Sequence, residues 1–260
     1  MSRPGMEPAE QLDEAARRHQ CIGPFGPSLG RAPYEVQHAV VTRRAHRLGS
    51  EPIGYKVALT SPATQAALGT NEPAMGNLLA ADVLPTGSTV ELESMFSPVL
   101  EAELVFRVRE DLPVRASTEQ IARGCDVTAG LECPDSRYAE WFGGEYPVLA
   151  LDDVIADNCL TGLVVVGSTW LSAADVDLAT VRATLLIDDE EVASGTGEAV
   201  LENPLRSMAW LSAHLAASGE ALTAGTLVSA GTLTPPVVAR RGTVRGVFSA
   251  GLGEASVRFT

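Results

Sequence analysis

The stretch "SPVLEAELVFRV", residues 97–108, carries Glu101 and Glu103 one residue apart inside an otherwise apolar run. Leu100, Leu104, Val105, Phe106 and Val108 favour a strand, and the run is short enough to be one. Side chains of a strand alternate between its faces, so the two glutamates point the same way with Cα atoms roughly 6 to 7 Å apart. Leu100, Ala102, Leu104 and Phe106 point the other way. On a helix the two acids would diverge by about 200°. Like charges side by side on a half-buried face repel and are costly to desolvate, so a cation, basic side chains or solvent must compensate them.

Outward from this strand the chain keeps the same texture. Short apolar runs separated by turn residues are expected as strands at 53–59, 89–93, 162–167, 181–187, 190–194, 226–230, 244–249 and 255–259. "ATLLIDDEEVASG" reads as a hairpin with Asp188 to Glu190 at its tip. Helical signals sit mainly at the start, in "PAEQLDEAARRHQ" and in "APYEVQHAVVTRRAHRLGS", where Gly49 supplies a C-terminal cap. One later helix is marked by Asn203 as cap, Pro204 at its first position, Leu205, Met208, Leu211 and Leu215 on one face and Gly219 at its end. The strands do not alternate regularly with helices, which excludes a doubly wound sheet and leaves a β-rich α+β fold. A helical N-terminal lobe over residues 1–70 is expected to pack on a β-rich domain over residues 71–260.

With 260 residues the chain can bury a large core. The net charge of −14 opposes phosphate backbones, and no basic stripe for nucleic acid is present. No apolar run reaches the length of a membrane span and "MSRPGMEPAEQLDEAARRHQ" is charged throughout, so a cytoplasmic protein without membrane partners is expected. Cys21, Cys125, Cys133 and Cys159 lack metal or redox spacing and read as reduced thiols.

A third carboxylate, Glu132 in "TAGLECPDSRYAEW", ends a later short apolar segment. Three converging carboxylates offer the oxygen ligands that a hard divalent cation takes, with positions left for water or a chelating substrate. A solvated strand face is the alternative reading. Of the 19 basic residues only Lys56 is a lysine. A chain that otherwise uses arginine keeps a lysine where a shiftable pKa matters, or keeps it by chance at the surface. His19, His38, His46 and His214 show no metal spacing, and no P-loop, nucleophile elbow or dinucleotide loop occurs in a fitting context.

The segments "IGYKVALTSPATQAALG", "MGNLLAADV", "PVLEAELVFRVREDLP", "GLECPDSR", "VIADN", "EVASGTGEAVLENPLRSMAWLSAHLAASG" and "SAGTLTPPVVARRGTVRGVFSAGLGEASVRF" follow one another as in a known family. Over residues 30 to 260 the chain resembles the 2-keto-4-pentenoate (2-hydroxypentadienoate) hydratase branch of the fumarylacetoacetate hydrolase superfamily. The resemblance implies a mixed β-barrel or roll core of the type that superfamily uses for its C-terminal domain, with a small helical N-terminal lobe. It implies Mg²⁺ or Mn²⁺ on Glu101, Glu103 and Glu132, and Lys56 at the substrate as proton carrier, its pKa depressed by the cation. It further implies catalytic positions at Asp82, Asp157 and Asn158 and substrate contacts at Leu59, Arg137 and Thr234, with a structural ion pair as the other reading of Arg137. Cys133 and Pro134 depart from the aliphatic residues usual there. The implied activity adds water to a 2-hydroxy-2,4-dienoate or its 2-oxo-4-enoate form to give a 4-hydroxy-2-oxo acid, in a homo-oligomer. The alternatives are 2-oxo-3-hexenedioate (4-oxalocrotonate) decarboxylase, an acylpyruvate hydrolase, and a 2-oxo-acid-binding protein without turnover. "GTLTPPVVARRG" favours the hydratase over the decarboxylase.

Overall fold

In the computed structural model residues 6–260 are described, so the first five residues of the expected N-terminal lobe lie outside them. Along the chain run helices α1 (Pro8–Arg18) and α2 (Pro33–Leu48), strand β1 (Pro52–Ala58), the short helix α3 (Pro62–Ala67), and strands β2 (Ala74–Leu79), β3 (Val83–Pro85), β4 (Ser88–Val90) and β5 (Val99–Val108). Helix α4 (Thr118–Gly124), strand β6 (Cys125–Cys133) and helix α5 (Leu151–Ala156) follow, then strands β7 (Leu163–Val166), β8 (Leu171–Ser172), β9 (Arg182–Ile187) and β10 (Glu190–Thr196). Helix α6 (Pro204–Leu215) and strands β11 (Leu227–Thr232), β12 (Val237–Val238), β13 (Gly242–Phe248) and β14 (Gly253–Phe259) complete the chain.

Local chemistry sets the boundaries. Pro33 opens α2, and Gly49 ends it in the left-handed region at φ 59°. In α6 the Asn203 carboxamide oxygen accepts from the Leu205 N–H at 2.9 Å, and Met208, Leu211 and Leu215 are buried. Between β9 and β10, Asp188 and Asp189 both take positive φ, as a two-residue hairpin turn requires. The strand expected at 89–93 stops at Val90, because the chain enters a 3₁₀ turn at Leu92–Ser94.

Among the described residues, a nine-stranded mixed sheet runs in the order β2-β1-β11-β5-β6-β7-β3, with β12 added to β5 and β8 to β6. A five-stranded sheet, β10-β9-β13-β14-β4, packs against it to form the expected β-rich α+β roll. The even-numbered residues of β5, from Leu100 to Val108, enter the main core between the sheets with Val127, Leu131, Leu185 and Val244. The odd-numbered face is covered unevenly. Val99 packs under the helical lobe with Leu12, Val36, Val40 and Trp141, while Val105 packs with Leu78 and Val164. Glu101 and Glu103 lie between those two patches. The four cysteines are free thiols, and no described helix is long and apolar enough to cross a membrane.

Candidate active site

Strands β5 and β6 pair antiparallel with Glu101 opposite Glu132 and Glu103 opposite Gly130. Glu132 therefore shares the face of Glu101 and Glu103, and two like charges stand directly across from each other, a pairing that costs stability unless a third charge intervenes. Gly130 leaves the space opposite Glu103 without a side chain. The three glutamates each present a carboxylate oxygen, all within 4.8 Å of one another.

On the other side of β5, strand β11 carries Ser229 opposite Val105 but Thr232 opposite Glu103, so one extra residue bulges there. Gly231 occupies the bulge at φ 113°, a conformation that glycine alone adopts readily. Its N–H donates to Glu103 Oε2 at 3.0 Å, and the Ser229 hydroxyl donates to the same oxygen at 2.6 Å. The free Oε1 is left for another ligand. Parallel pairing of β1 with β11 sets Lys56 beside Ser229. Lys56 Nζ stands 2.9 Å from Glu132 Oε1, but off the hydrogen-bond direction, and that buried oxygen has no hydrogen-bond donor.

Lys56, Glu103 and Glu132 are each at most 3% exposed. Burial first, then repulsion from Glu132, pushes the Glu101 carboxyl up to about 8. The same causes, with Glu101 added, hold Glu103 well above the usual carboxylate range, against the Ser229 hydrogen bond. Burial alone would lower Lys56, yet Glu132, Cys159, Glu101 and Glu103 together raise it. The depressed lysine of the sequence reading presupposed a neighbouring cation. In the protein by itself the carboxylates dominate and hold Lys56 as ammonium. One ammonium could not balance all three groups if they were ionised, and the orphaned Glu132 oxygen, the all-oxygen donor set and the free side of Glu103 fit a hard divalent ion.

This cluster forms one wall of a cavity of about 310 Å³. Leu59 and Thr234 line the cavity, Leu59 in the left-handed region at φ 59°. The Thr234 hydroxyl oxygen accepts from the Ala102 N–H at 3.2 Å, which leaves its proton free to donate. A hairpin that the sequence reading did not anticipate covers another side. Its arms are joined by Val148 N–H to Trp141 C=O at 2.8 Å and Gly143 N–H to Tyr146 C=O at 3.0 Å, and Trp141, Phe142, Glu145 and Tyr146 line the cavity.

Asp82, Arg137, Asp157 and Asn158, expected at catalytic and substrate-binding positions, are not among the cavity's lining residues. Asp82 is fully buried, pairs with Arg44 at 2.5 Å and accepts from the Leu79 N–H at 3.0 Å. Arg137 donates from Nε to the Asp157 carboxylate at 2.5 Å, from Nη2 to the Asp157 C=O at 2.7 Å and from Nη1 to the Thr161 C=O at 3.0 Å. Asn158 pairs both amide atoms with the backbone of Asn77 on β2, at 2.8 and 2.9 Å. The physical reason for this brace is the chain it holds. Asn158, Cys159 and Leu160 take φ of 54°, 50° and 60° in succession, a left-handed turn that costs roughly 1–2 kcal/mol per residue. Cys159 and Leu160 from this turn line the cavity beside Lys56. The brace thus shapes the cavity wall without reaching it, and strain of this kind collects at functional sites.

No family model matches the chain. It is 33% identical over 214 residues to 2-keto-4-pentenoate hydratase of Burkholderia vietnamiensis, covering 82% of this chain and 79% of that protein. It is 31% identical over 258 residues to 2-keto-4-pentenoate hydratase of Paraburkholderia phymatum, covering 97% and 96%. Among solved structures it is similar to 4-oxalocrotonate decarboxylase from Pseudomonas putida G7, complexed with magnesium and adipate, with a TM-score of 0.87, 27% identity and coverage of 97% of this chain and 96% of that one.

Proposed function

The chain belongs to the 2-keto-4-pentenoate hydratase family of the fumarylacetoacetate hydrolase superfamily, and from that membership we propose that Glu101, Glu103 and Glu132 form its metal site and Lys56 its proton carrier. The enzyme is a hydro-lyase. A 2-hydroxy-2,4-dienoate gives up its 2-hydroxyl proton and gains one at C5, becoming the 2-oxo-3-enoate. Water oxygen then bonds C4 while C3 takes a proton, and the product is a 4-hydroxy-2-oxo acid.

The observation that carries the assignment is the convergence of three carboxylates within 4.8 Å beside the chain's single lysine. When bound there, Mg²⁺ or Mn²⁺ would supply the positive charge that holds a 2-oxo acid by its carboxylate and 2-oxygen and favours the enolate over the ketone. Ser229 and Gly231 fix Glu103 by one oxygen and so aim the other. Lys56, charged and buried, holds a proton at Nζ within reach of substrate in the cavity. The Thr234 hydroxyl is free to donate to a substrate oxygen, and Leu59 with the aromatic hairpin keeps bulk water from the carbon chain. A cytoplasmic homo-oligomer belongs to the same proposal; the location rests on the sequence reading of the charged N-terminal stretch and the oligomer on the family resemblance.

Lys56→Met and Glu103→Gln, assayed separately with added Mg²⁺ for the 4-hydroxy-2-oxo product, test it. Each change is expected to lower turnover by at least a hundredfold. Near wild-type turnover in both variants would overturn the assignment.

A further inference from the structure

Helix α6 buries two serines along with its apolar face. Ser207 and Ser212 are both fully enclosed, and a buried hydroxyl must find a partner, on its own helix or beyond it. Ser212 accepts from the Ala116 N–H at 2.8 Å and so ties α6 to the loop before α4. Ser207 donates to the Ala230 C=O of β11 at 2.7 Å. That carbonyl and the Gly231 N–H belong to one peptide unit.

The Ala230–Gly231 peptide stands where β11 parts from both neighbouring strands. Its register with β1 ends at Ser229, and its register with β5 passes from Ser229 to Thr232. The unit is planar and trans, so its C=O and N–H point in opposite directions. One end takes the Ser207 proton, and the other donates to Glu103 Oε2 at 3.0 Å. A hydrogen bond accepted at the carbonyl polarises the N–H at the far end and strengthens the second bond. Gly231, at φ 113°, imposes little preference of its own on the peptide's orientation. The Ser207 bond is the contact that fixes the carbonyl end, and with it the direction of the N–H. Without that donor a buried C=O is left unsatisfied, and the peptide can turn only by drawing the Gly231 N–H away from Glu103.

We propose that Ser207 is a positioning residue for the metal site, acting through the Ala230–Gly231 peptide to hold Glu103 in the orientation that receives a divalent ion. The proposal rests on the metal-site reading above. Ser207→Ala removes the donor, and Ser212→Ala is the control, because it strands a buried group of the same helix at a place remote from the glutamates. Calorimetric titration of Mg²⁺ into chelator-stripped protein should give a dissociation constant about tenfold weaker for Ser207→Ala, at the low end of the roughly 10–100-fold loss typical of a ligand's supporting partner, and unchanged for Ser212→Ala. In the metal-free protein, amide hydrogen exchange at Gly231 should quicken by about fivefold or more in Ser207→Ala and stay as in wild type in Ser212→Ala. Ser207→Cys keeps a weak donor and should fall between serine and alanine in both measurements; it carries the comparison if the alanine variant does not fold. Wild-type Mg²⁺ affinity in folded Ser207→Ala, or equal losses in the two alanine variants, would overturn the proposal. If wild type binds no Mg²⁺ while Gly231 exchange responds to Ser207 alone, the metal reading fails and the positioning of Glu103 survives. Exchange at Gly231 that is indifferent to Ser207 would refute the positioning role whatever the metal does.

Discussion

Ser229→Ala isolates the support of the proposed metal site from its ligands. The Ser229 hydroxyl donates to Glu103 Oε2 at 2.6 Å in a fully buried setting, and the Gly231 N–H at 3.0 Å is the other donor to that oxygen. Removing one of two hydrogen bonds to a buried carboxylate forfeits about 1.5–3 kcal/mol of stabilisation of its charged form. That raises further a carboxyl already held high by burial and by Glu132. Since a metal ligand must be deprotonated, proton competition grows, and the dissociation constant for Mg²⁺ is expected to weaken about 10–100-fold at neutral pH. The difference should narrow as pH rises, because the competing proton is removed from both proteins. The assay is calorimetric titration of Mg²⁺ into chelator-stripped protein at two pH values, with urea denaturation as the control for folding. Unchanged affinity in a folded variant would refute the argument that this serine aims Glu103. An equal loss at both pH values would show that proton competition is not the cause.

The cation-free protein should lose stability as pH rises. Native Glu101 holds its proton to about 8 while the unfolded chain releases it near 4.5, so between those values the native state binds more protons and stability falls as pH increases. Thermal melts from pH 5 to 8 with chelator should slope downward, added Mg²⁺ should remove the slope, and a flat chelated profile would contradict the assignment. Arg137→Met leaves Asp157 buried without its cation and should cost about 3–5 kcal/mol in urea unfolding. If the brace only shapes the cavity wall, the folded remainder of that variant should keep Mg²⁺ affinity; lost affinity with unchanged stability would return Arg137 to the site. Gly195→Ala would place a Cβ 1.8 Å from the Leu233 C=O, so either the cavity-lining segment Leu233–Thr234 or β10 itself has to shift. A raised KM with little change in Mg²⁺ affinity is expected, and an unaltered KM would mean that β10 yields instead.

The strands read from sequence are those with one polar face or a clear turn beside them. β9 and β10 were legible because their alternation is interrupted by an Asp-Asp turn, and α6 because cap, proline and apolar face agree. Strands β2 and β6 were not. "CDVTAGLEC" lies inside the larger sheet and is buried along nearly its whole length, so neither face alternates with solvent and the period that betrays a strand is absent, while "AMGNLL" at the sheet's edge is a short run whose exposed-side positions, Met75 and Asn77, do not form an apolar–polar alternation. The brace was only partly legible, as the ion-pair reading of Arg137. Arg137, Asp157 and Asn158 stood out by their match to family segments, and in the structure they brace backbone held in a left-handed turn, a conformation with no sequence mark when it is built from Asn-Cys-Leu.

The site itself divides at the same line. Alternation along one strand was enough to bring Glu101 and Glu103 to one face, since that depends only on the pleat. Whether Glu132 joins them depends on the register of β5 against β6, and a slip of one residue would turn Glu132 away from them. No local feature of "TAGLECPDS" announces that register; family order supplied it, and the pairing of Glu101 with Glu132 gives it a physical form. Ser229 and the bulge at Gly231 were invisible for the same reason, because each acts across a strand boundary rather than along a strand. A register that sets two buried glutamates face to face is unfavourable in an empty protein. A retained proton on Glu101 and the Lys56 ammonium beside Glu132 offset part of that cost in the empty protein, and a cation between the carboxylates would offset it without the proton, so the strand pairing favours the proposed metal site.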